Sequence, residues 1–175
     1  MDSLSDPSSL RGRTAVEFRE EQSIDEQDSF EYFEFVDGMV AVGITNEAGA
    51  VLLMNSPHGW RLPYGPVDAD EDWVVAGRHV GEELTGVSVT ITCAERVARI
   101  SHREAGDEAR ETTSYDVVLR TIPVTGEPVD DDPRFGPWDE LEVRWFDGVP
   151  ENAYWNHGDA VDDIRLFVEG GDSDS

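Results

Sequence analysis

Apolar and polar residues alternate over several stretches of the chain, which is the pattern of β-strands that bury at least one face. In residues 38–55, Val40, Val42 and Ile44 have few polar neighbours, and the segment Asn46–Gly49 indicates a turn between two buried strands. The same pattern predicts strands near residues 39–45, 50–55, 87–104, 112–123 and 141–147, an edge strand at 14–19, and a hairpin turn at 105–107.

Apolar residues with helical spacing occur in two other stretches. The first predicts a helix over residues 70–84 that ends at Thr85–Gly86, and the second predicts a helix over residues 158–168. The apolar stripe of the first helix, at positions i, i+4, i+7 and i+11, consists of Trp73, Gly77, Val80 and Leu84.

A third, shorter helix is predicted from its start signal. Ser23 and Glu26 have the spacing of a capping box, so a short helix should run from there toward Phe33. The length of 175 residues suits one domain. We expect a loose segment at 1–13, one domain at 14–169, and a loose tail at 170–175. The domain is predicted to be α/β, with a mixed β-sheet sandwiched between helices.

Charge sets this chain apart from most proteins. The formal net charge is −26, from 39 acidic and 13 basic residues, and every basic residue is arginine. Such a surface repels itself unless salt screens it, and the Debye length falls to about 3 Å at 1 M salt. The composition resembles that of extreme halophiles that accumulate salt in the cytoplasm. Acidic pairs and runs, such as Asp130–Asp132, are therefore expected mainly as solvated surface.

The sequence also restricts compartment and partners. The single cysteine, Cys93, excludes an internal disulfide and fits a reducing cytoplasm. The first residues have no apolar core of a signal peptide, and no apolar run reaches the roughly 18 residues of a membrane span. No basic cluster suits a nucleic-acid backbone. We therefore expect a cytoplasmic protein without nucleic-acid or membrane partners; the oligomeric state stays open, and a homodimer is compatible with the sequence.

Residues 60–87, WRLPYGPVDADEDWVVAGRHVGEELTGV, resemble the signature of the Nudix hydrolases, G-x5-E-x7-R-E-U-x-E-E-x-G-U, in which U is aliphatic. Trp60–Pro63 is similar to the W-x-L-P that precedes this box, and residues 139–151 are similar to a late family strand. The resemblance implies a Nudix fold over roughly residues 38–168. It also implies cleavage of a diphosphate linkage in a nucleotide-like substrate, with Mg²⁺ or Mn²⁺ held by carboxylates.

Two alignments of the box are open. The direct alignment places Gly65, Glu71, Glu83 and Gly86 on fixed positions, but it puts Val80 and Leu84 where the family has two of its three helix carboxylates. Glu83 is then the one remaining helix ligand, and Glu71 is the upstream carboxylate of the box.

The second alignment shifts the helix by one residue so that the apolar stripe faces the core. Arg78 then takes the place of the family arginine, and Asp70 becomes the upstream carboxylate. His79, Glu82 and Glu83 become the ligand set at i, i+3 and i+4, which share one helix face. We favour this alignment slightly, because burying Val80 and Leu84 is worth roughly 1.5–3 kcal/mol each.

Further candidates follow from what the resemblance implies and from residue chemistry. Glu82 and Glu83 are the expected catalytic carboxylates, and Arg61, Tyr64, Gly65 and Arg78 are expected to bind substrate. Asp139, Glu140 or Glu142 offers a distant carboxylate. Further candidates for phosphate or base contacts are Arg99, Arg103, Arg120, Trp138 and Trp155.

The sequence therefore leaves two functions open. One is a metal-dependent Nudix-type hydrolase. The other is a catalytically impaired Nudix-fold module that binds a nucleotide or a protein, a hypothesis motivated by the missing box carboxylates.

Overall fold

The computed structural model describes residues 1–56, 59–133, 141–154 and 158–168. The strands are β1 Glu17–Asp25, β2 Val36–Gly43, β3 Val51–Ser56, β4 Gly59–Arg61, β5 Tyr64–Asp68, β6 Ile91–Glu104, β7 Asp107–Thr121 and β8 Val143–Phe146. The helices are α1 Gln27–Phe35, α2 Trp73–Thr85 and α3 Gly158–Val168, and a short 3-10 helix covers Pro7–Leu10. Among the described residues, no helix is long and apolar enough to cross a membrane.

Two sheets form the centre of the domain. A five-stranded sheet has the order β1-β6-β7-β2-β5, in which β1 and β6 are parallel, β2 and β7 are parallel, and the other neighbours are antiparallel. A three-stranded antiparallel sheet has the order β4-β3-β8. The predicted α/β class with a mixed sheet is confirmed.

β3 joins the two parts of the core because it is buried on both faces. Leu52 and Met54 belong to the cluster that includes α2, whereas Val51 and Leu53 belong to the cluster that includes α3. All four side chains are fully buried. A strand that faces helices on both sides has to be apolar at every position, which explains the continuous apolar run that the sequence shows there.

α2 is fixed at both ends by local sequence. The Asp72 side chain accepts hydrogen bonds from the backbone N–H groups of Val74 and Val75, and Gly86 ends the helix in a left-handed conformation with φ 75°. A Cβ atom at Gly77 would lie 2.9 Å from Leu119, so the missing side chain lets the helix approach the sheet closely. The cap explains why the helix starts at Trp73 rather than at residue 70.

The N-terminal segment packs on the domain, which differs from the expectation of a loose segment. Leu4 and Leu10 are buried in the cluster around α2. The backbone N–H of Leu4 donates to Asp72 Oδ2 at 2.9 Å, and that of Trp73 donates to the Leu4 carbonyl at 2.8 Å. The prediction rested on the Ser/Asp/Pro content of this segment and did not weigh its two leucines, whose burial anchors the segment.

The entry to α1 also differs from the prediction. The strand expected at 14–19 is β1 at 17–25, and it includes Ser23. The Ser23 hydroxyl donates to Asp25 at 3.0 Å, and the helix cap, Glu26, makes no side-chain cap bond. The predicted capping box is therefore wrong: its two residues are separated by the end of a strand. The 105–107 turn and the bounds of α3 agree with the prediction.

Candidate functional site

The loop between β5 and α2 carries the upstream carboxylates of the box. Asp70 is exposed and has a left-handed backbone with φ 68°. Glu71 Oε1 accepts a hydrogen bond from the Asp68 N–H at 3.1 Å, and the Glu71 N–H donates back to the Asp68 carbonyl at the same distance. Glu71 thus closes a tight turn before α2, and Asp72 caps the helix. Two of the acidic residues in this loop therefore already stabilise the local backbone.

The inner side of α2 is apolar where the direct alignment would need metal ligands. Leu84 is 0% exposed and belongs to the cluster around the helix. Val80 is half-buried against the same cluster, and a Cβ on Gly65 would lie 2.9 Å from its Cγ2 atom. Neither side chain offers a donor, so this face supplies packing instead of coordination.

The outer side of α2 carries the polar box residues. His79 Nε2 lies 3.7 Å from Glu83 Oε1, and the two side chains are 73% and 46% exposed. Glu82 is also exposed, but its Oε2 accepts a hydrogen bond from the Val89 N–H at 3.3 Å. Arg78 is exposed on the same helix. The structure therefore brings His79 and Glu83 together, with Glu82 directed toward the following loop and Asp70 and Glu71 at the other end of the helix.

The donor set decides which kind of metal site these residues fit. Within the described part of the chain, no three His, Cys, Asp or Glu side chains are arranged to hold one ion. Glu83 with one neighbour does fit a site completed by the ligand, because Mg²⁺ is often held by one or two carboxylates together with substrate phosphates. A three-carboxylate cluster does not fit the inner face, where Val80 and Leu84 lie.

The segment after β7 lies over the C-terminal end of α2. The Asp130 N–H donates to the Leu84 carbonyl at 2.8 Å, and the Trp145 indole N–H donates to the Pro128 carbonyl at 3.2 Å. Asp130 itself approaches Gly86. Sequence reasoning assigned this acidic run to solvated surface and missed the contact, since nothing local in the run points to the helix end.

Most of the remaining candidates are paired with oppositely charged side chains. Arg99 lies 4.0 Å from Glu20, Arg103 lies 3.6 Å from Glu111, and Arg120 lies 2.6 Å from Glu95. Glu142 lies 2.7 Å from Arg144 and accepts from Asn55. Arg61 differs, because its guanidinium lies over the ring of Tyr64. Asp139, Glu140, Trp138 and Trp155 lie outside the described residues.

Tyr32 of α1 is 42% exposed, but its phenol is partly desolvated. The pKa of Tyr32 is raised above its ordinary value of 10.0, first by burial and then by the nearby Tyr64 and Asp68.

A buried polar network on the other face of the five-stranded sheet was not found from the sequence. His102 Nδ1 lies 2.7 Å from Asp25 Oδ2, and its Nε2 lies 2.7 Å from Ser114 Oγ. Phe33 stacks on the imidazole with ring centroids 4.1 Å apart, and a cavity of about 600 Å³ lies alongside. Ser114 is fully buried, so its hydroxyl has no access to a substrate. We interpret the trio as a structural network.

Three solved structures are similar to the chain at low sequence identity. The chain is similar to the NUDIX hydrolase from Nitrosomonas europaea, with 16% identity over 77% of this chain and 71% of that chain and a TM-score of 0.45. It is similar to the E. coli dihydroneopterin triphosphate pyrophosphohydrolase, with 14% identity, coverage of 78% and 97%, and a TM-score of 0.49. It is also similar to the MutT NUDIX hydrolase from Burkholderia pseudomallei, with 22% identity over 73% of this chain and 97% of that chain and a TM-score of 0.42.

No curated protein sequence matches the chain. The three structural likenesses are too distant to bear on function, and the assignment rests on a family model. The model of the NUDIX domain matches residues 34–161, which is most of the chain and includes the whole box. The chain therefore belongs to the NUDIX domain family, the family of the Nudix-type hydrolases.

Proposed function

We propose that this chain is a metal-dependent Nudix-type hydrolase that cleaves a diphosphate linkage in a nucleotide-like substrate. The observation that carries the proposal is the pairing of His79 and Glu83 on the exposed side of the box helix. Both groups can turn toward an incoming ligand, because a contact between two such exposed side chains contributes little to stability.

Glu83 is the central carboxylate of the proposed site. It is the helix ligand in both alignments of the box, and it is half-exposed in the structure. His79 is its nearest partner, and an imidazole favours Mn²⁺ or a transition metal over Mg²⁺. Glu82 would join them after giving up its long hydrogen bond to Val89. Asp70 and Glu71 remain upstream candidates, with a smaller part, since Glu71 is engaged in the turn.

The second candidate function is a module that binds a nucleotide without cleaving it. The observation in its favour is the full burial of Leu84 at a ligand position of the direct alignment, with half-buried Val80 one turn before it. A face that is packed in this way cannot supply the carboxylates that position an attacking water in metal-assisted hydrolysis.

One experiment separates the two functions. ADP-ribose, dinucleoside polyphosphates and nucleoside triphosphates are incubated with the protein in multimolar KCl with Mg²⁺ or Mn²⁺, and released phosphate and nucleotide are measured. The hydrolase is supported by turnover that a chelator abolishes. Binding of a nucleotide by calorimetry, without turnover under any of these conditions, supports the module instead.

A further inference from the structure

The side chain of Arg61 is held by aromatic rings. Its guanidinium carbon lies 3.9 Å from the ring centroid of Tyr64 and 5.9 Å from that of Tyr154. Backbone hydrogen bonds fix the second tyrosine beside β4: the Tyr154 N–H donates to the Trp60 carbonyl at 3.1 Å, and the Trp60 N–H donates to Asn152 at 3.0 Å. The cation is thus positioned by two segments that are themselves well anchored.

This arrangement contrasts with that of most other arginines that the structure describes, apart from Arg13 and Arg78. Acidic residues outnumber arginines three to one, 39 against 13, so a carboxylate is the expected neighbour of any guanidinium. Arginines that lie within 4.0 Å of a carboxylate include Arg11, Arg19, Arg96, Arg99, Arg103, Arg110, Arg120, Arg144 and Arg165. Within the described residues, Arg61 has no such partner, and its contacts are the two rings.

The chemistry of a stacked guanidinium explains what such a residue can bind. Stacking occupies the flat face, and the N–H donors in the plane stay available for a planar or tetrahedral anion. A phosphate accepts two parallel hydrogen bonds from this edge. Concentrated salt screens distant charges but does not remove a direct hydrogen bond, so a bidentate contact remains effective in multimolar KCl.

The position of Arg61 connects it to the box. Tyr64, whose ring lies under the Arg61 guanidinium, directly precedes Gly65 in β5. A Cβ on Gly65 would lie 2.9 Å from Val80 on α2. The arginine therefore lies beside β5, the strand that leads through residues 69–72 into the box helix.

We propose that Arg61 is a phosphate anchor beside β5 and that Tyr64 is the positioning residue that holds its guanidinium in place. The ligand class is a compound with a diphosphate group, bound through that group. This inference rests on the proposed function for its substrate class, but it concerns binding and does not require that the bound compound is cleaved.

The test measures binding in multimolar KCl without divalent metal, so that no cleavage takes place. Pyrophosphate, ADP and adenosine are titrated by calorimetry into the wild-type protein and into Arg61→Gln. We expect pyrophosphate and ADP to bind and adenosine to bind much more weakly. Arg61→Gln should weaken the binding of both anions roughly tenfold or more, because hydrogen bonds that involve charged groups contribute more than neutral ones. The matched control is Arg144→Gln on β8 of the same three-stranded sheet, which should leave both affinities unchanged.

A second pair of variants tests the positioning role. Tyr64→Phe keeps the ring under the guanidinium and should bind like the wild type, whereas Tyr64→Leu should lose most of the affinity that Arg61→Gln loses. Wild-type affinity for ADP and pyrophosphate in folded Arg61→Gln, or no binding of either anion by the wild-type protein, would overturn the proposal. If Arg61→Gln keeps both its turnover and its wild-type affinity, the proposed hydrolase is supported and the anchor is wrong. If the wild-type protein binds both anions through Arg61 but shows no turnover, the anchor is supported and the proposed hydrolase is wrong.

Discussion

His102 and Asp25 form a buried polar contact, with Nδ1 and Oδ2 2.7 Å apart and the histidine side chain only 3% exposed. The carboxylate can only accept, so Nδ1 donates, and a neutral ring then accepts the Ser114 hydroxyl at Nε2. Asp25 ends β1, His102 lies on β6 and Ser114 lies on β7, while Phe33 of α1 covers the ring. The contact ties an edge strand and a helix to the centre of the sheet.

This network makes the first prediction, which concerns stability. His102→Leu should lower the free energy of unfolding by roughly 2–4 kcal/mol, because Asp25 and Ser114 both lose a buried partner. Asp25→Asn should cost less, since the amide oxygen still accepts from Nδ1. Chemical denaturation at constant salt measures both, with the exposed Arg103→Gln on the same strand as control. An unchanged midpoint for His102→Leu would mean that the trio does not hold α1 and β1 in place.

A second prediction concerns Arg96, which lies between two carboxylates and has a side chain that is 7% exposed. It donates to Glu17 at 2.6 Å and to Asp163 of α3. Arg96→Met should destabilise the fold by roughly 3 kcal/mol, because it leaves a partly buried carboxylate without its partner. Thermal melts measure the effect, and Arg165→Met, whose ion pair on α3 is exposed, serves as control. Equal melting temperatures for the two variants would contradict the prediction.

The ion pair between Arg96 and Glu17 makes the stability dependent on pH. The hydrogen bond from Arg96 lowers the pKa of Glu17 below its ordinary value of 4.5, although burial opposes the shift. A lowered folded-state pKa means that the contribution is complete above the unfolded-state value and is lost as the pH falls through the folded-state value. Melts between neutral pH and pH values below 4.5 should therefore show a shallower loss of stability in Arg96→Met than in the wild-type protein.

The parts of the fold that local pattern determines could be predicted from the sequence. The bounds of α3, the turn between β6 and β7, and the end of α2 at Gly86 depend on side chains within a few residues of each other. The network of His102 could not be predicted, because its partner Asp25 is 77 residues away and neither residue belongs to a motif. The hydrogen bond from the Leu4 N–H to Asp72 likewise joins residues that are 68 positions apart in the sequence.

The candidate site was predictable to the same degree. Helical periodicity places Leu84 in the core and Glu83 on the outside, and both positions agree with the structure. Asp130, which lies over the end of α2, comes from a distant segment in which acidic residues are common, so no local signal distinguishes it.

A third prediction follows from the charge. The last turn of α2 has no basic residue, and Glu82, Glu83 and Asp130 lie at this negative end of the helix dipole. The melting temperature should rise steadily from low to multimolar KCl. Asp130→Asn, which keeps the acceptor for the Asp132 N–H, should stabilise the protein at low salt by about 0.3–1 kcal/mol and much less at high salt. The exposed Asp147→Asn is the control. A melting temperature that is independent of salt would rule out the halophilic interpretation.

A fourth prediction concerns turnover on whichever nucleotide the activity panel identifies. Glu83→Gln keeps size and helix propensity but removes the charge, so metal-dependent turnover should fall at least roughly tenfold, since even the loss of an outer partner of a metal site has that effect. Glu111→Gln, in an exposed ion pair on β7, should be fully active. Full activity of Glu83→Gln, with an activity that a chelator still abolishes, would place the metal elsewhere.

The fifth prediction separates the two alignments of the box at Leu84 and Val80. Leu84 is 0% exposed, so Leu84→Glu buries an unpaired carboxylate, which costs several kcal/mol out of the roughly 5–15 kcal/mol that stabilise a domain. We expect this variant to unfold or aggregate, whereas Leu84→Met should fold. Val80 is only half-buried beside Gly65, so Val80→Glu can turn its carboxylate toward solvent and should fold with a modest loss of stability. Circular dichroism checks the fold, and calorimetry with Mg²⁺ checks for a new ligand. If a variant that combines Val80→Glu with Leu84→Glu folds and binds Mg²⁺ more tightly than the wild-type protein, the inner face of α2 is the metal face. The assignment to His79, Glu82 and Glu83 is then wrong.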